Sequence, residues 1–193
     1  MVNIDVSLDH QQWLEYMDRR IGMFVDPSGK MGKALTTAQK EIRKETEASV
    51  MDYYTVAQGT YDSSTEKKDT RRGFNAESTW TSARGLTLRR FTTAGVWPGY
   101  GNGQPMYTTA TVIRGSGGGM VVGSNGFKGF WTGVNSGTQL MARTTKSRYP
   151  LEMLYGPSTA SMTRRRFEDD SKIDAQAVLW EKMNEAAQQI LNG

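Results

Sequence analysis

Apolar residues recur every three or four positions in two N-terminal segments, which predicts two amphipathic helices. The first helix, over 8–24, places its apolar residues on one face: Trp13, Leu14, Met17, Ile21 and Phe24. The second, over 28–54, has a charged outer face rich in Lys and Glu, and the run from Asp26 to Gly29 predicts a break and a cap before it. A short helix, basic at its end, is predicted over 157–166. The three-to-four spacing recurs in a final helix capped by Ser171, with one side formed by Ile173, Ala177, Trp180, Asn184, Ala187 and Leu191.

The middle of the chain changes to an alternating pattern that is typical of strands. Alternation over 74–82 and 86–92, with Arg84-Gly85 between, predicts a β-hairpin. The polar and charged stretch 60–72 predicts a short surface helix or an exposed loop. Loops are predicted at 93–106 and at Gly115–Gly119, and further strands at 107–113, 120–122, 126–134 and 139–144.

This order of elements predicts an α+β fold. We expect a central antiparallel β-sheet flanked by a long N-terminal helix and a C-terminal helix, with long Gly-rich loops. The predicted organisation is an N-terminal helical arm at 1–27, an α+β domain at 28–170 and a C-terminal helix at 171–193.

Composition narrows the possible functions. The chain has 193 residues, 37% hydrophobic residues and 21 glycines, so we expect a small core and apolar surface that needs a partner chain. It has no cysteine, which excludes disulfides and thiolate chemistry. No apolar run approaches the roughly 20 residues that span a bilayer, and the N-terminus lacks the pattern of a signal peptide, so no membrane partner is expected.

The sequence gives only weak evidence for catalytic or ligand-binding residues. The glycines at 99–103 and 115–119 lack the strand-loop-helix context of a phosphate site. His10 is the only histidine, and the acidic triplet 168–170 is better explained by favourable charge before a helix. We therefore expect no catalytic residue, no metal and no cofactor, and the chain is predicted not to be an enzyme.

The arginines have two interpretations. They are grouped in four clusters: Arg71-Arg72, Arg89-Arg90, Arg143 with Lys146 and Arg148, and Arg164-Arg165-Arg166. With a formal charge of +4, they are compatible with non-specific contact to nucleic acid, which is the alternative function. No recognition-helix or single-strand-binding pattern accompanies them, which favours contacts between subunits and makes Arg164, Arg165 and Arg166 candidate interface residues.

The segment from Arg148 to Ser158, here called the Tyr-Pro segment, is the most constrained part of the chain. Pro150 and Pro157 lack a backbone N–H and favour an extended conformation in the residue before each. The apolar residues between them predict one buried strand, followed by a turn at Gly156-Pro157 that leads into a helix. We expect Tyr149 to pack in the core and Arg148 to pair with an acid.

Residues 126–165 resemble the tail-completion family of tailed bacteriophages, specifically the minor tail protein Z group of lambda-like phages. The similar elements are Gly129-Phe130, Leu140–Arg143, Lys146-Ser147, and Arg148-Tyr149-Pro150-Leu151, ending at Gly156-Pro157-Ser158 before a helix. The N-terminal helix at 8–24 and the loop at 93–106 have no counterpart in the family pattern.

The resemblance implies a structural virion protein that completes the tail and connects it to the head. Such proteins are assembled in the host cytoplasm and form homo-oligomeric rings at the neck, commonly six-fold, around the DNA channel. The implied neighbours are a head connector or adaptor and a tail terminator or tail tube protein. The motif residues Arg148, Tyr149, Pro150, Gly156 and Pro157 are then structural, and the resemblance carries over no catalytic residue.

Two aromatic residues, Trp97 and Tyr100, lie in the Gly- and Pro-rich loop where the local chain cannot bury both, which predicts that they anchor an interface. We expect Trp97→Ala and Tyr100→Ala to impair assembly while the isolated chain keeps its fold, measured by particle yield and by circular dichroism. Unfolding of the isolated variants would contradict the interface role.

Overall fold

The computed structural model describes residues 10–82, 84–94, 108–134, 137–169 and 174–192. The helices are α1 (His10–Val25), α2 (Lys30–Tyr53), α3 (Gln58–Ser64), α4 (Thr159–Asp169) and α5 (Ala175–Asn192), with a 3-10 turn at Leu88–Arg90. The strands are β1 (Glu66–Arg72), β2 (Asn75–Thr81), β3 (Thr92–Ala94), β4 (Thr109–Thr111), β5 (Gly119–Met120), β6 (Phe130–Val134), β7 (Gly137–Arg143) and β8 (Leu151–Met153). No described helix has the length and apolar character needed to cross a membrane.

The predicted α+β class is confirmed, with the strands distributed over three small sheets. One sheet pairs β1 with β2, a second has the order β3-β4-β5, and a third has the order β6-β7-β8. The second and third are antiparallel: Thr93 lies opposite Ala110, Trp131 opposite Leu140, and Ala142 opposite Glu152.

The chain forms two compact units whose residues are interleaved in sequence. Unit 1 contains 1–44, 69–78 and 171–193, and unit 2 contains 45–68 and 79–170. The predicted terminal segments, 1–27 and 171–193, therefore both fall in unit 1 together with the start of α2. Because Glu45 opens unit 2, α2 contributes residues to both units.

Unit 1 is held by side chains that reach backbone carbonyls at helix ends. Arg20 of α1 donates to the carbonyl oxygens of Ile190 and Leu191 in α5, and Lys30 of α2 donates to that of Gln189 at 2.8 Å. Cations placed there complement the negative end of the α5 dipole and satisfy carbonyls that lack a partner within the helix.

Helix caps follow local side-chain chemistry. Asp26 accepts hydrogen bonds from the N–H and the hydroxyl of Ser28, which lowers the pKa of Asp26 and confirms the predicted break before α2. At α5 the predicted cap, Ser171, lies outside the described residues. Asp174 accepts a hydrogen bond from the N–H of Ala177 at 2.9 Å and caps the helix instead.

The core of unit 2 consists of two apolar clusters. The first joins the end of α2, α3, the stretch before β3 and α4, through Val50, Tyr54, Val56, Tyr61, Leu86, Phe91 and Met162. The second lies on the β6-β7-β8 sheet and contains Val121, Leu140, Ala142 and Leu154. Leu88 packs against both clusters, so the 3-10 turn links them.

The predicted hairpin over 74–92 is wrong. Residues 75–81 do form a strand, but β2 pairs with β1, and the turn between them contains Gly73 with φ +60. Residues 66–72 carry charge on almost every position and only Lys67 of that strand is half-buried, so this strand has no alternating pattern to detect. Arg84-Gly85 instead precedes the 3-10 turn.

Two glycines in helices of unit 1 differ in their surroundings and give a matched test. A Cβ on Gly32 would lie 1.6 Å from the carbonyl oxygen of Pro27, whereas a Cβ on Gly22 would meet nothing within 4 Å. We expect Gly32→Ala to lower the free energy of unfolding by about 2 kcal/mol through overpacking. Gly22→Ala should leave it unchanged or raise it by about 0.5 kcal/mol through helix propensity. Urea unfolding measures both, and equal stability of Gly32→Ala and wild type would contradict the packing described.

Candidate functional site

The Tyr-Pro segment begins with a constrained turn and continues as a strand at the edge of its sheet. The Tyr149–Pro150 peptide bond is cis, and the Pro150 carbonyl accepts hydrogen bonds from the N–H and the hydroxyl of Thr144, at 3.2 and 3.1 Å. Leu151–Met153 then forms β8, which pairs with β7 on one side. Among the described strands, none pairs with the other side of β8.

The end of the segment is fixed by backbone contacts and close packing. The N–H of Gly156 donates to the Leu86 carbonyl at 2.7 Å, and the N–H of Leu86 donates to the Pro157 carbonyl at 3.3 Å. A Cβ on Gly156 would lie 2.7 Å from the Phe91 ring, so only glycine fits there. Ser158 caps α4, because its hydroxyl accepts the N–H of Ser161 at 3.2 Å. The predicted strand and helix start are therefore confirmed, but β8 is half-buried rather than buried, and residues 156–158 form no turn.

The predicted packing of Tyr149 in the core is wrong. Its side chain is 65% exposed, and that of Tyr155, just beyond the other end of β8, is 49% exposed. The Arg148 guanidinium lies over the Tyr149 ring at 5.7 Å, so the contact observed for Arg148 is with an aromatic face rather than with the acid that was expected. The edge strand thus has an exposed tyrosine before it and another after it.

The three arginines of α4 differ in their surroundings. Arg164 and Arg165 are exposed and form ion pairs one turn along the helix, with Glu168 at 2.9 Å and Asp169 at 3.3 Å. Arg166 donates to the Ser49 hydroxyl at 3.0 Å, and its guanidinium lies 4.3 Å from the centre of the Tyr53 ring. Arg166 therefore ties α4 to the end of α2, and the cluster does not form one continuous cationic face.

The other predicted interface residues, Trp97 and Tyr100, lie outside the described residues, and their role stays a prediction. The backbone of His10 begins α1, and its side chain is likewise outside the description. Within the described part of the chain, no three His, Asp or Glu side chains come together as a metal site.

A buried hydroxyl pair and an ion-pair cluster lie together in unit 2. Tyr61 is fully buried and shares a 2.5 Å hydrogen bond with Thr163; because Thr163 donates to the Thr159 carbonyl, the Tyr61 hydroxyl is the donor of the pair. The Lys67 ammonium lies 5.2 Å from the centre of the Tyr61 ring and bonds Glu47 at 2.8 Å and Asp62 at 2.7 Å. Sequence reasoning missed this cluster, because its members belong to α2, α3 and β1.

The electrostatics of this cluster indicate a structural role. Burial raises the pKa of Tyr61, so its hydroxyl stays protonated at neutral pH. Burial alone would lower the pKa of Lys67, but hydrogen bonds to Asp62 and Glu47 outweigh it and raise that pKa. Proton transfer requires a group that titrates near the working pH, and these shifts move both groups away from neutrality.

No protein-family model matches the chain, and comparisons with curated proteins and with solved structures likewise found no match.

The Lys67 cluster predicts a specific acid dependence of stability. The hydrogen bond from Lys67 lowers the pKa of Asp62 below its ordinary value of 3.8. A carboxyl group whose pKa is lower in the folded state than in the unfolded state stabilises the fold at every pH above its unfolded-state pKa. That stabilisation is lost as the pH falls through its folded-state pKa. Asp62 is 45% exposed, so we expect Asp62→Asn to cost only about 0.5 kcal/mol at pH 7, a difference that disappears under acid conditions.

Urea unfolding across the acid range measures this difference. Lys67→Met provides the control, because without the ammonium only the smaller effect of the Gln58 hydrogen bond still lowers the pKa of Asp62. The change at Asp62 should then alter the pH dependence much less. A pH-dependent effect of Asp62→Asn that is as large in Lys67→Met as in the wild-type chain would contradict the assignment.

Proposed function

We propose that the protein is a structural component of a tailed-phage virion that completes the tail and joins it to the head. In this proposal copies of the chain form a ring around the DNA channel at the neck, with six as the expected number. The resemblance of residues 126–165 to tail-completion proteins supports the proposal. The structural observation that carries it is the edge strand β8 with an exposed tyrosine at each end.

Edge strands favour assembly. Among the described strands, only β7 pairs with Leu151–Met153, although just beyond them Tyr155 bridges to Thr87. Backbone N–H and C=O groups on the other side of this short edge can pair with a strand from another chain. Tyrosine is enriched at protein interfaces because its ring buries much area at a low cost in side-chain entropy while its hydroxyl bonds to polar groups. Tyr149 and Tyr155 would then anchor the two ends of such a contact.

A ring requires two different surfaces on each copy, because only a heterologous contact continues from one subunit to the next. The second surface is the β5 edge of the β3-β4-β5 sheet, where Met120 is 54% exposed. Two residues beyond β5, Val122 is 53% exposed and bridges to Lys128. These apolar side chains suit the tyrosines of the Tyr-Pro segment. We assign the ring contact to the β8 edge of one copy and the β5 edge of the next.

The remaining partners follow from the position at the neck. One face of the ring would meet a head connector or adaptor, and the other a tail terminator or tail tube protein. Trp97 and Tyr100 are the candidate anchors for these contacts, and genomic DNA in the channel is a further, non-specific partner.

Non-specific nucleic-acid binding remains the second candidate because of the arginines. Its strongest support is the α4 cluster, which has three arginines and two carboxylates and therefore a net positive charge. Its two surface ion pairs each stabilise the protein by only about 0.3–0.5 kcal/mol, so a phosphate group could replace the carboxylates as partner. The engagement of Arg166 with Ser49 and Tyr53 weighs against it. A steep fall in DNA affinity of the purified chain with rising salt would favour this candidate.

Electron microscopy of a phage lysate that lacks the protein tests the neck assignment. We expect separate filled heads and tails that join when purified protein is added. Protein carrying Tyr149→Ala and Tyr155→Ala should fail to join them, since truncating two interface anchors weakens a contact by roughly 30-fold or more.

Phe167→Ala is the matched control, because Phe167 is a similarly exposed aromatic residue on α4 that lies away from β8 in sequence. Circular dichroism of each variant reports folding. Complete particles in the lysate without the protein would overturn the neck assignment. Full joining by the double-tyrosine variant would overturn the role of the β8 edge.

A further inference from the structure

Helix α5 presents an apolar stripe on the side opposite its buried residues. Ala186 and Ile190 are its buried positions, yet Trp180 is 77% exposed and Leu191 is 52% exposed. The stripe, here called the α5 seam, consists of Ala177, Trp180, Asn184, Ala187 and Leu191. Their spacing of three and four residues is the heptad pattern of a helix that packs along another helix.

The seam lies beside a groove on unit 1. The groove has a volume of about 800 Å³, and it is lined by the seam residues 177, 180, 184 and 187 together with Met183 and, from α2, Met31. Met31 and Met183 are only half-buried, so they form an adaptable apolar wall. Within the described residues of this unit, no element covers Trp180.

The seam is self-complementary in one arrangement. Asn184 is the central position of the seam. Trp180 lies four residues before it and Ala187 three residues after it, while Ala177 and Leu191 each lie seven residues away. A second α5 placed antiparallel, with the two-fold axis at Asn184, brings Trp180 against Ala187 of the other copy. It also brings Leu191 against Ala177 of the other copy. Each large side chain then meets a small one, which is the condition for close packing of two helices.

The polar positions suit the same arrangement. An asparagine amide both donates and accepts, so two copies of Asn184 across the axis satisfy each other, as a polar residue at a heptad core position commonly does. Beside the seam, Glu181 of one copy comes level with Gln188 of the other, where the amide can donate to the carboxylate. The acidic side chains of the two copies are therefore not placed directly opposite each other.

We propose that this chain forms a weak two-fold dimer in which the α5 seams of two copies pack antiparallel about Asn184. The contact is isologous and closes at two copies, so it is separate from the ring contact and does not depend on the proposed function. The exposed seam offers roughly 400 Å² per copy, about half of a standard interface, so the dimer should form only at high protein concentration.

Sedimentation velocity over a concentration series tests for the dimer. We expect Trp180→Ala to weaken dimerisation by about 30-fold or more, because the tryptophan contributes twice in a symmetric contact. Ala187→Leu should weaken it similarly by filling the space that Trp180 of the other copy occupies. Gln189→Ala, on an exposed residue of α5 outside the seam, is the matched control and should leave the dimer unchanged.

Cross-linking tests the register, since the natural chain has no cysteine. In the proposed dimer Asn184→Cys faces itself and should form an intermolecular disulfide on mild oxidation. Ala187→Cys faces Trp180 of the other copy and should remain reduced. Comparable cross-linking of both variants would overturn the antiparallel register. A wild-type chain that stays monomeric at every concentration would overturn the dimer and leave the groove to a different protein.

Discussion

The apolar cluster that contains Met162, Tyr61 and Val50 is the feature on which the position of the Tyr-Pro segment depends. This cluster holds α4 against α3 and the end of α2, and the hydrogen bond between Tyr61 and Thr163 fixes the rotation of α4. Leu154 is anchored in the second cluster, on the β6-β7-β8 sheet. The chain between Leu154 and α4 must therefore connect two fixed points, and the glycine at 156 allows it to pass close to Phe91.

This constraint explains why the tyrosines of the Tyr-Pro segment face solvent. The apolar interior beside β8 is already filled by Leu154, Leu140 and Val121, which are nearly fully buried. Tyr149 and Tyr155, at the two ends of the strand, do not belong to this cluster and are exposed. A chain with small clusters and short sheets leaves large apolar side chains at its surface, and such surfaces are commonly completed by another protein chain.

Sequence patterns identified the elements that have a clear hydrophobic period. The helices α2 and α5 were predicted because apolar positions recur along each of them at the helical period. The strand β1 was missed because an exposed strand with charge on both faces has no such period. The α5 seam was found as an apolar side, but periodicity cannot tell a buried stripe from an exposed one, and only the structure shows Trp180 in solvent.

The central claim is that the β8 edge is an assembly surface, and hydrogen exchange at its backbone tests that claim most directly. The amides of Leu151–Met153 would be compared by mass spectrometry in the isolated chain and in assembled particles. The account predicts that exchange slows there on assembly, while the amides of α4, already bonded within the helix, change little. Equal exchange at β8 in the two states would contradict the account.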